Sequence, residues 1–489
     1  MPKSRRQPLD RLAQALMLML AIVIGGMVLL GGPAASRVKD FTWQNQQIGA
    51  DDAAFLLSFS RPMDQASVEK NLTIEPPLPG RFSWAGRRMA YTLNFPAPYG
   101  NTFTLSLPQA NDRFSGASGN FAPFEASFQS RERAFAYIGV EGQEQGRLML
   151  YNLSTQSHTA LTPEDWTVLD FKPYTRGDLI LFAAVERGQN TQQDQQLYTV
   201  TTGLRKDQKD SKGQIQTVLD SNSYQNLKFD LSADGQIIVV QRVRRDNPGD
   251  FGPWIITQGQ PPRRLETEPG GDFMIAPDSQ SLLLQQGEGT AILALNDAQN
   301  EQSGETLDFL PQYGLVMDVA NNGSAAAMVS FNQDDPEKRY TQTLFWVSNQ
   351  GDEKPLINVT GSILDAQFDS TNELLFCLTS QLLESDTYQV QPSISAINVK
   401  TGNVDELWTL PPQPSAHMSL APDGLALLFD ETIPGTDNSA VSNDGIAIAT
   451  ARLWLLPLYQ TSDARLNQQP QSIEPQVFPF SGLNPIWIP

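Results

Sequence analysis

The chain has 489 residues, a formal net charge of −20 and a single cysteine. This length supports two or three domains with substantial cores. An acidic chain lacks the basic surface that binds a phosphate backbone, which argues against nucleic acid as a partner. One cysteine excludes an intrachain disulfide, and 35 Gly with 34 Pro favour a turn-rich β protein.

The N-terminal segment is basic and then apolar. Basic residues dominate positions 1–11, and residues 16–30 are almost purely aliphatic. About 18 to 25 such residues span a bilayer as a helix, and the basic end stays in the cytoplasm. We therefore predict a cytoplasmic tail, a retained single-pass anchor at residues 12–36 in a bacterial inner membrane, and a periplasmic or equivalent extracytoplasmic body. A signal peptide cleaved within the small residues at 32–36 is the alternative.

Residues 38–130 contain short alternating apolar runs separated by Pro, Gly and Asn, a pattern typical of a β-sandwich. Their order resembles the bacterial Ig-like domain of the SbsA type, found in surface-layer and other exported proteins. The resemblance lies in residues 59–64, 80–84, 100–105, 116–120 and 124–128. It implies a sandwich that serves as a spacer or docking module, and it names no ligand.

A short turn motif recurs in residues 131–489. It consists of an apolar residue, a spacer, Pro or Ala, and then Asp or Asn followed by Gly or Ser. Its clear copies lie at residues 231–235, 275–279, 319–323 and 420–424, and looser copies lie at 171–173 and 368–372. Each copy precedes an apolar β run, so it is the turn of a hairpin, because Asp, Asn and Gly tolerate positive φ. Recurrence at intervals of roughly 40 to 70 residues is typical of β-propeller blades.

The count of these motifs predicts a seven-bladed β-propeller in an all-β protein. Residues 483–489 resemble a further copy with nothing after it, while residues 134–140 begin the repeat region without a copy. We therefore predict that the C-terminal segment supplies the inner strand of the first blade. Such closure removes the two free sheet edges of an open array.

The turn motifs resemble those of the WD-like (PD40-type) repeats in TolB-like propellers and in prolyl-oligopeptidase-type propellers. The Gly-His and Trp-Asp pairs of true WD40 repeats are missing. The resemblance therefore implies a propeller fold and a role in protein docking, and it transfers no functional residues.

Catalytic motifs are missing from the sequence. His158 and His417 are the only histidines, so a Ser-His-Asp triad would have to use one of them, and no Gly-x-Ser-x-Gly motif is present. We therefore predict that the protein is not an enzyme and that it has no catalytic residue and no cofactor.

A metal site is the one enzymatic option that the sequence leaves open. Asp170, Asp272 and Asp318 lie shortly before or within predicted innermost strands, where a ring of carboxylates would face the channel of a propeller. Oxygen ligands of this kind are those that Ca²⁺ prefers. The competing interpretation is structural, because Asp at strand starts often accepts hydrogen bonds from backbone amides. The same pattern is shared by Asp230, Asp365 and Asn484.

One basic cluster stands out in the acidic body, and it consists of Arg242, Arg244, Arg245, Arg263 and Arg264. It could contact an acidic partner or lipid headgroups. A solvated face balanced by Asp246 and Asp250 is the alternative.

These observations predict a non-enzymatic scaffold, anchored in the membrane by its N-terminal helix, whose propeller docks a protein or a cell-envelope polymer. Two alternatives remain open. The first is a metal-dependent enzyme or a carbohydrate-binding protein that uses the channel carboxylates. The second is an envelope sensor that acts through a membrane partner.

Overall fold

The computed structural model describes residues 8–489 except for residues 31–34, 115–119, 188–193, 206–210, 296–305, 334, 384–388, 435–439, 442–446 and 461. The chain divides into two compact units. Unit 1 comprises Met1–Ile48, Asp52–Asn94 and Thr102–Gln129. Unit 2 comprises Gly49–Asp51, Phe95–Asn101 and Ser130–Pro489.

The described part of unit 1 contains two helices and a series of short strands. The helices are α1 (Pro8–Leu30) and α2 (Gln65–Asn71). The strands are β1 (Val38–Phe41), β2 (Gln47–Ile48), β3 (Ala54–Phe59), β4 (Thr73–Glu75), β5 (Gly80–Ala85), β6 (Arg88–Leu93), β7 (Thr102–Leu107) and β8 (Phe124–Ser130). Asp64 caps α2 by accepting a hydrogen bond from the backbone N–H of Ser67, 3.3 Å away.

Two four-stranded antiparallel sheets form unit 1, in the orders β1-β3-β6-β5 and β2-β8-β7-β4. Phe41 in the first sheet lies edge-on to Phe128 in the second, and Trp43 contacts Phe55 and Phe128 at 5.2 Å each between ring centroids. Such aromatic contacts bury large apolar areas, so the two sheets pack face to face. The assignment to Ig-like domains stays a prediction, and most of the turn at residues 116–120 lies outside the described residues.

The membrane anchor predicted at residues 12–36 is wrong. A bilayer crossing needs about 20 consecutive, mostly apolar residues. Within the described residues, no helix is both long enough and apolar enough to cross a membrane. The predicted single-pass inner-membrane localisation, with its cytoplasmic N-terminus and periplasmic body, is therefore contradicted.

The strands of unit 2 follow one another in groups. The first groups are β9 (Ala134–Gly139), β10 (Leu148–Asn152) and β11 (Ser157–Ala160); β12 (Trp166–Pro173), β13 (Leu179–Glu186), β14 (Gln196–Thr201) and β15 (Ile215–Leu219); β16 (Tyr224–Leu231), β17 (Ile237–Arg244), β18 (Phe251–Thr257) and β19 (Arg263–Arg264); and β20 (Phe273–Ile275), β21 (Ser281–Gln286), β22 (Gly289–Ala294) and β23 (Thr306–Leu310). A 3₁₀ turn at Gly142–Glu144 lies between β9 and β10.

The remaining groups continue the same pattern. They are β24 (Leu315–Val319), β25 (Ala325–Ser330), β26 (Gln342–Ser348) and β27 (Glu353–Val359); β28 (Gly361–Phe368), β29 (Leu374–Leu382), β30 (Val390–Asn398) and β31 (Val404–Thr409); and β32 (Met418–Leu420), β33 (Ala426–Pro434), β34 (Ala440–Val441), β35 (Ala447–Pro457), β36 (Gln476–Val477) and β37 (Gly482–Trp487). Helix α3 (Ser462–Leu466) precedes β36.

Seven antiparallel sheets, here called sheets 1 to 7, result from these strands in the described part of unit 2. Sheet 1 has the order β37-β9-β10-β11. Sheets 2 to 6 each use four consecutive strands, beginning with β12, β16, β20, β24 and β28. Sheet 7 has the order β32-β33-β35-β34, with β36 paired to β35. This repetition is a β-propeller type of architecture, and none of the sheets closes on itself within the described strands.

The hairpins predicted at the turn motifs are confirmed. Each motif lies between the first and second strands of a sheet, as residues 231–235 lie between β16 and β17. The residue that turns the chain has positive φ within or shortly after every copy, and these residues are Gly177, Gly235, Ser279, Gly323, Asn372 and Gly424. Gly and Asn adopt this conformation most readily, which explains why the motif uses them.

The first strand of sheet 1 comes from the C-terminal segment. In β37, Gly482 pairs with Gly139 and Trp487 pairs with Phe135, and the ladder is interrupted between Leu483 and Ile486. This pairing agrees with the prediction from sequence. It gives sheet 1 the same number of strands as sheets 2 to 6.

Buried apolar clusters join neighbouring sheets. Members of the same cluster include Leu150 and Phe182 (sheets 1 and 2), Leu181 and Val240 (2 and 3), Val239 and Leu282 (3 and 4), Val329 and Ala366 (5 and 6), Phe376 and Leu427 (6 and 7), and Phe135 and Leu428 (7 and 1). Each fully buried side chain of this type contributes about 1.5–3 kcal/mol. Packing between sheets is therefore a major source of stability in unit 2.

Candidate functional site

Polar side chains interrupt the first strands of several sheets. In three of these strands two polar residues lie two positions apart, so both side chains leave the strand on the same face. The pairs are Asp170 and Lys172 in β12, Lys228 and Asp230 in β16, and Asp365 and Gln367 in β28. These residues form the candidate site, because they include carboxylates that the sequence leaves open as metal ligands.

Three carboxylates, Asp230 and Asp318 in first strands and Asp430 in the second strand of sheet 7, accept hydrogen bonds from the backbone of the next sheet. One carboxylate oxygen in each case lies 2.7 to 2.8 Å from a backbone nitrogen in the first strand of the following sheet. The donor and acceptor pairs are Ile275 with Asp230, Phe368 with Asp318, and Asn484 with Asp430. These bonds therefore tie sheet 3 to sheet 4, sheet 5 to sheet 6, and sheet 7 to sheet 1.

Neutral acceptors and lysines extend this network. The backbone N–H of Leu420 donates to Oε1 of Gln367 over 2.8 Å, which ties sheet 6 to sheet 7. Lys172 forms an ion pair with Asp230 between sheets 2 and 3. Lys228 forms an ion pair with Asp272, which lies just before β20. Charge-assisted bonds of this kind are stronger than bonds between neutral groups.

Two neighbouring carboxylates have strongly shifted pKa values. Removal from water raises the pKa of Asp318 to about 7, against the lowering effect of the N–H groups of Phe368 and Val319 and with a further rise from the charge of Asp365. Removal from water also raises the pKa of Asp365 to about 6, opposed by hydrogen bonds from Gln367 and Ala366. Near neutral pH, the two side chains together therefore carry less than two negative charges.

The three predicted metal ligands have different partners. Asp170 is half-buried, accepts a hydrogen bond from the N–H of Phe171 at 2.8 Å, and has a pKa raised by its removal from water. Asp318 accepts its bond from Phe368, and Asp272 pairs with Lys228. In the chain as described, no group of three or more His, Cys, Asp or Glu is arranged to hold a metal ion. Among the described residues, the geometry therefore gives no ligand set for the Ca²⁺ that the sequence left open as an alternative.

Both histidines lie within packed contacts. The backbone N–H of His417 and its ring atom Nδ1 lie 2.7 and 2.9 Å from the two oxygens of the buried Asp430. His158 stacks on Phe480 with ring centroids 4.7 Å apart and hydrogen-bonds to the hydroxyl of Tyr137. Each histidine thus joins strands of unit 2.

The basic cluster is balanced by acidic and aromatic neighbours. Its contacts are Arg244 with Asp246, Arg245 with Asp194 and Arg264 with Asp250, each at 2.7 Å, Arg242 over the ring of Tyr224 at 4.4 Å, and Arg263 with the carbonyl of Leu295 at 3.4 Å. These contacts favour the interpretation as a charge-balanced face over a basic docking surface, and Arg242 itself is buried.

A cavity of about 170 Å³ lies between sheets 4 and 5. Its apolar walls include Phe273, Met274 and Leu283 of sheet 4 and Leu315 and Met317 of sheet 5. Lys228 and Asp272 also line it, with 41% and 51% of their side chains exposed, so this ion pair marks the opening to solvent.

Sequence reasoning missed several of these residues. Lys172, Lys228 and Gln367 were not identified, although each lies two positions from an Asp on the same face of its strand. A charged or amide side chain at that spacing, within an apolar strand, is the signal that identifies them. The cavity has no comparable signal, because it depends on how two sheets pack.

No protein-family model and no curated protein sequence matches the chain. Three solved structures with some likeness are an oligogalacturonate lyase in complex with manganese (12% identity, 88% of this chain and 99% of that chain, TM-score 0.42), TolB from Acinetobacter baumannii (10%, 58% and 64%, 0.38) and prolyl oligopeptidase B from Galerina marginata (10%, 83% and 51%, 0.44). The chain spans less than two thirds of the length of the last two. Because all three TM-scores lie below 0.5, these similarities assign no function to this chain.

Proposed function

We propose that the seven sheets of unit 2 are the blades of one seven-bladed β-propeller, and that this propeller is a binding scaffold that docks a partner protein or polymer without catalysis of its own. The observation that carries the proposal is the use made of the first-strand carboxylates. A catalytic acid, base or nucleophile must reach its substrate. Asp230 and Asp318 instead accept hydrogen bonds from the backbone of the neighbouring sheet, as does Asp430 in the second strand of sheet 7.

Ring closure is supported by the completion of sheet 1 with the C-terminal strand and by the packing of sheet 7 against sheet 1. Strand β37 completes sheet 1 by pairing with β9. Phe135 of sheet 1 belongs to the same buried cluster as Leu428 of sheet 7. The succession of sheets thus returns to its start, which protects the edges that an open array would expose.

A rigid ring suits docking, because a preorganised surface loses little conformational entropy when a partner binds. On the side of the sheets where the first strands begin, there is an opening that is lined by both charged and apolar side chains. Asp272 precedes β20, Leu315 begins β24, and the cavity between sheets 4 and 5 opens beside them. We therefore place the docking surface on this side.

The metal content of the purified full chain separates the scaffold from the metal-dependent alternative. After dialysis against Ca²⁺ and removal of free ion, elemental analysis should find no stoichiometric metal in the wild type or in Asp170→Asn and Asp318→Asn. Asp246→Asn, in an exposed ion pair with Arg244, is the matched control. One equivalent of metal that is lost in the first two variants and kept in the control would overturn the scaffold proposal.

Photo-crosslinking in cells tests the docking surface. A photoreactive residue at Gln285, which lines the cavity, should form a reproducible crosslink to one partner. The same residue at Val404, an exposed position on the last strand of sheet 6, is the control. Crosslinks from Val404 alone, or equal labelling of many proteins from both positions, would contradict this location.

A further inference from the structure

The cavity between sheets 4 and 5 has the size of a single apolar side chain. Its volume is about 170 Å³. For comparison, an apolar cavity of about 150 Å³ stays dry and binds benzene. Phe273 and Leu283 on its wall are buried, and Met274 and Met317 supply flexible thioether side chains that adapt to a ligand. A phenyl or isobutyl group therefore matches this space.

The ion pair at the opening differs from its counterpart one sheet earlier. Asp230 is only 8% exposed, pairs with Lys172, and uses its second oxygen to accept the N–H of Ile275. Lys228 and Asp272 are both well exposed beside a cavity that is lined by apolar and polar groups in similar measure. An ammonium group has three donors, so Lys228 keeps hydrogen-bonding capacity for a second anion while it contacts Asp272.

We propose that this pocket captures the C-terminal residue of a partner protein when that residue has an apolar side chain. The side chain fills the cavity, the terminal carboxylate accepts hydrogen bonds from Lys228, and the backbone N–H of the same residue donates to Asp272. An apolar residue inside a chain lacks the anion that Lys228 would bind. The inference rests on the proposed scaffold function and names the part of the partner that docks.

Three peptides titrated into the full chain by calorimetry test the recognition chemistry. Acetyl-Ala-Ala-Phe with a free carboxylate should bind saturably at one site. Its C-terminal amide should bind at least about tenfold more weakly, the effect of one lost hydrogen bond to a charged group. Acetyl-Ala-Ala-Ala with a free carboxylate should also lose at least about tenfold, because its methyl group leaves the cavity unfilled.

Matched variants assign the effects to the pocket. Lys228→Gln should abolish the preference for carboxylate over amide, whereas Lys172→Gln, which alters the other ion pair, should retain it. Leu315→Trp should fill the cavity and remove binding of the Phe peptide. Leu307→Trp, on the exposed face of β23, is the control for the added indole. Thermal unfolding of every variant verifies that it is folded.

Three results would overturn the inference. They are no saturable binding to the folded wild type, equal effects of Lys228→Gln and Lys172→Gln, or binding of free phenylalanine as tight as that of the peptide, which would indicate a small zwitterionic ligand. Failure of the peptides with retained crosslinking from Gln285 rejects this inference and leaves the scaffold standing. Stoichiometric metal bound by Asp170 and Asp318 rejects the scaffold itself.

Discussion

The carboxylate of Asp318 in sheet 5 accepts a hydrogen bond from the backbone N–H of Phe368 in sheet 6, with 2.7 Å between oxygen and nitrogen. The same side chain accepts the N–H of Val319 through its other oxygen. Asp318 thus accepts one hydrogen bond from its own strand and one from a strand of the neighbouring sheet. Apolar contacts alone do not fix how one sheet is aligned with the next, because they are not directional. Hydrogen bonds of this kind are directional and therefore fix that alignment.

Removal of this acceptor should weaken unit 2. Asp318→Ala should lower the free energy of unfolding by about 1.5–3 kcal/mol, since the N–H of Phe368 loses a charged acceptor. Asp318→Asn keeps a carbonyl oxygen and should lose less. Asp308→Ala is the control, because the hydrogen bond of exposed Asp308 within the described residues is to the N–H of Phe309, its neighbour in the chain. Urea titration measures all three, and equal losses for Asp318→Ala and Asp308→Ala would refute the role of the inter-sheet bond.

Stability should fall as pH rises through the neutral range. The folded-state pKa values of Asp318 and Asp365 are about 7 and about 6, above their ordinary value of 3.8. Between these limits the folded chain holds protons that the unfolded chain releases, so this contribution to stability is full below about pH 4 and is lost as pH rises past about 7. Urea unfolding at a series of pH values measures the slope. Asp318→Asn should make it shallower, and an unchanged slope would show that Asp318 does not titrate in this range.

Loss of the last strand should destabilise sheet 1 and its neighbours. Trp487→Ala should cost about 3–5 kcal/mol, because the indole is buried in the cluster shared by sheets 7 and 1. Val477→Ala, at an exposed position of β36, should change stability by less than about 0.5 kcal/mol. Deletion of residues 482–489 should lower the unfolding temperature further than Trp487→Ala. An unfolding temperature unaffected by the deletion would be incompatible with ring closure.

Substitutions of the turn glycines should lower stability through backbone strain more than through steric contacts of the added side chain. Gly424 has a φ of +70°, and an added Cβ would meet nothing within 4 Å. Gly424→Ala should therefore cost about 1–2 kcal/mol through conformational strain alone. Gly252→Ala is the matched control, because its added Cβ makes only an ordinary contact of 3.7 Å with Arg264 and its φ is not positive. Chemical denaturation compares the two, and similar losses would contradict this account.

Local features of unit 2 could be predicted from the sequence, and features that arise from packing could not. The hairpins at residues 231–235 and 420–424 follow from the conformational preferences of Asp, Asn and Gly, which act within a few residues. The pairing of β37 with β9 could also be predicted. Residues 483–489 resemble a turn motif with nothing after it, and residues 134–140 begin the repeat region without such a motif. The anchor prediction failed, because no helix among the described residues is both long enough and apolar enough to cross a membrane.

The candidate site was predicted only in part. The alternative that Asp318 bonds backbone amides agrees with the geometry, but its donor, Phe368, is in the next sheet and cannot be chosen from sequence. The same holds for the pairing of Lys228 with Asp272 and for the cavity beside them, since both depend on how sheets 3, 4 and 5 approach one another.

The pairing of β37 with β9 has a consequence for biosynthesis. β9 is the earliest strand of unit 2 to leave the ribosome, and β37 is the latest. Until β37 is synthesised, one edge of β9 stays open while the rest of sheet 1 can already form, and open edges recruit strands from other chains. A nascent chain that stalls before residue 482 therefore exposes an aggregation-prone edge, which makes the synthesis of β37 the step that protects the first sheet.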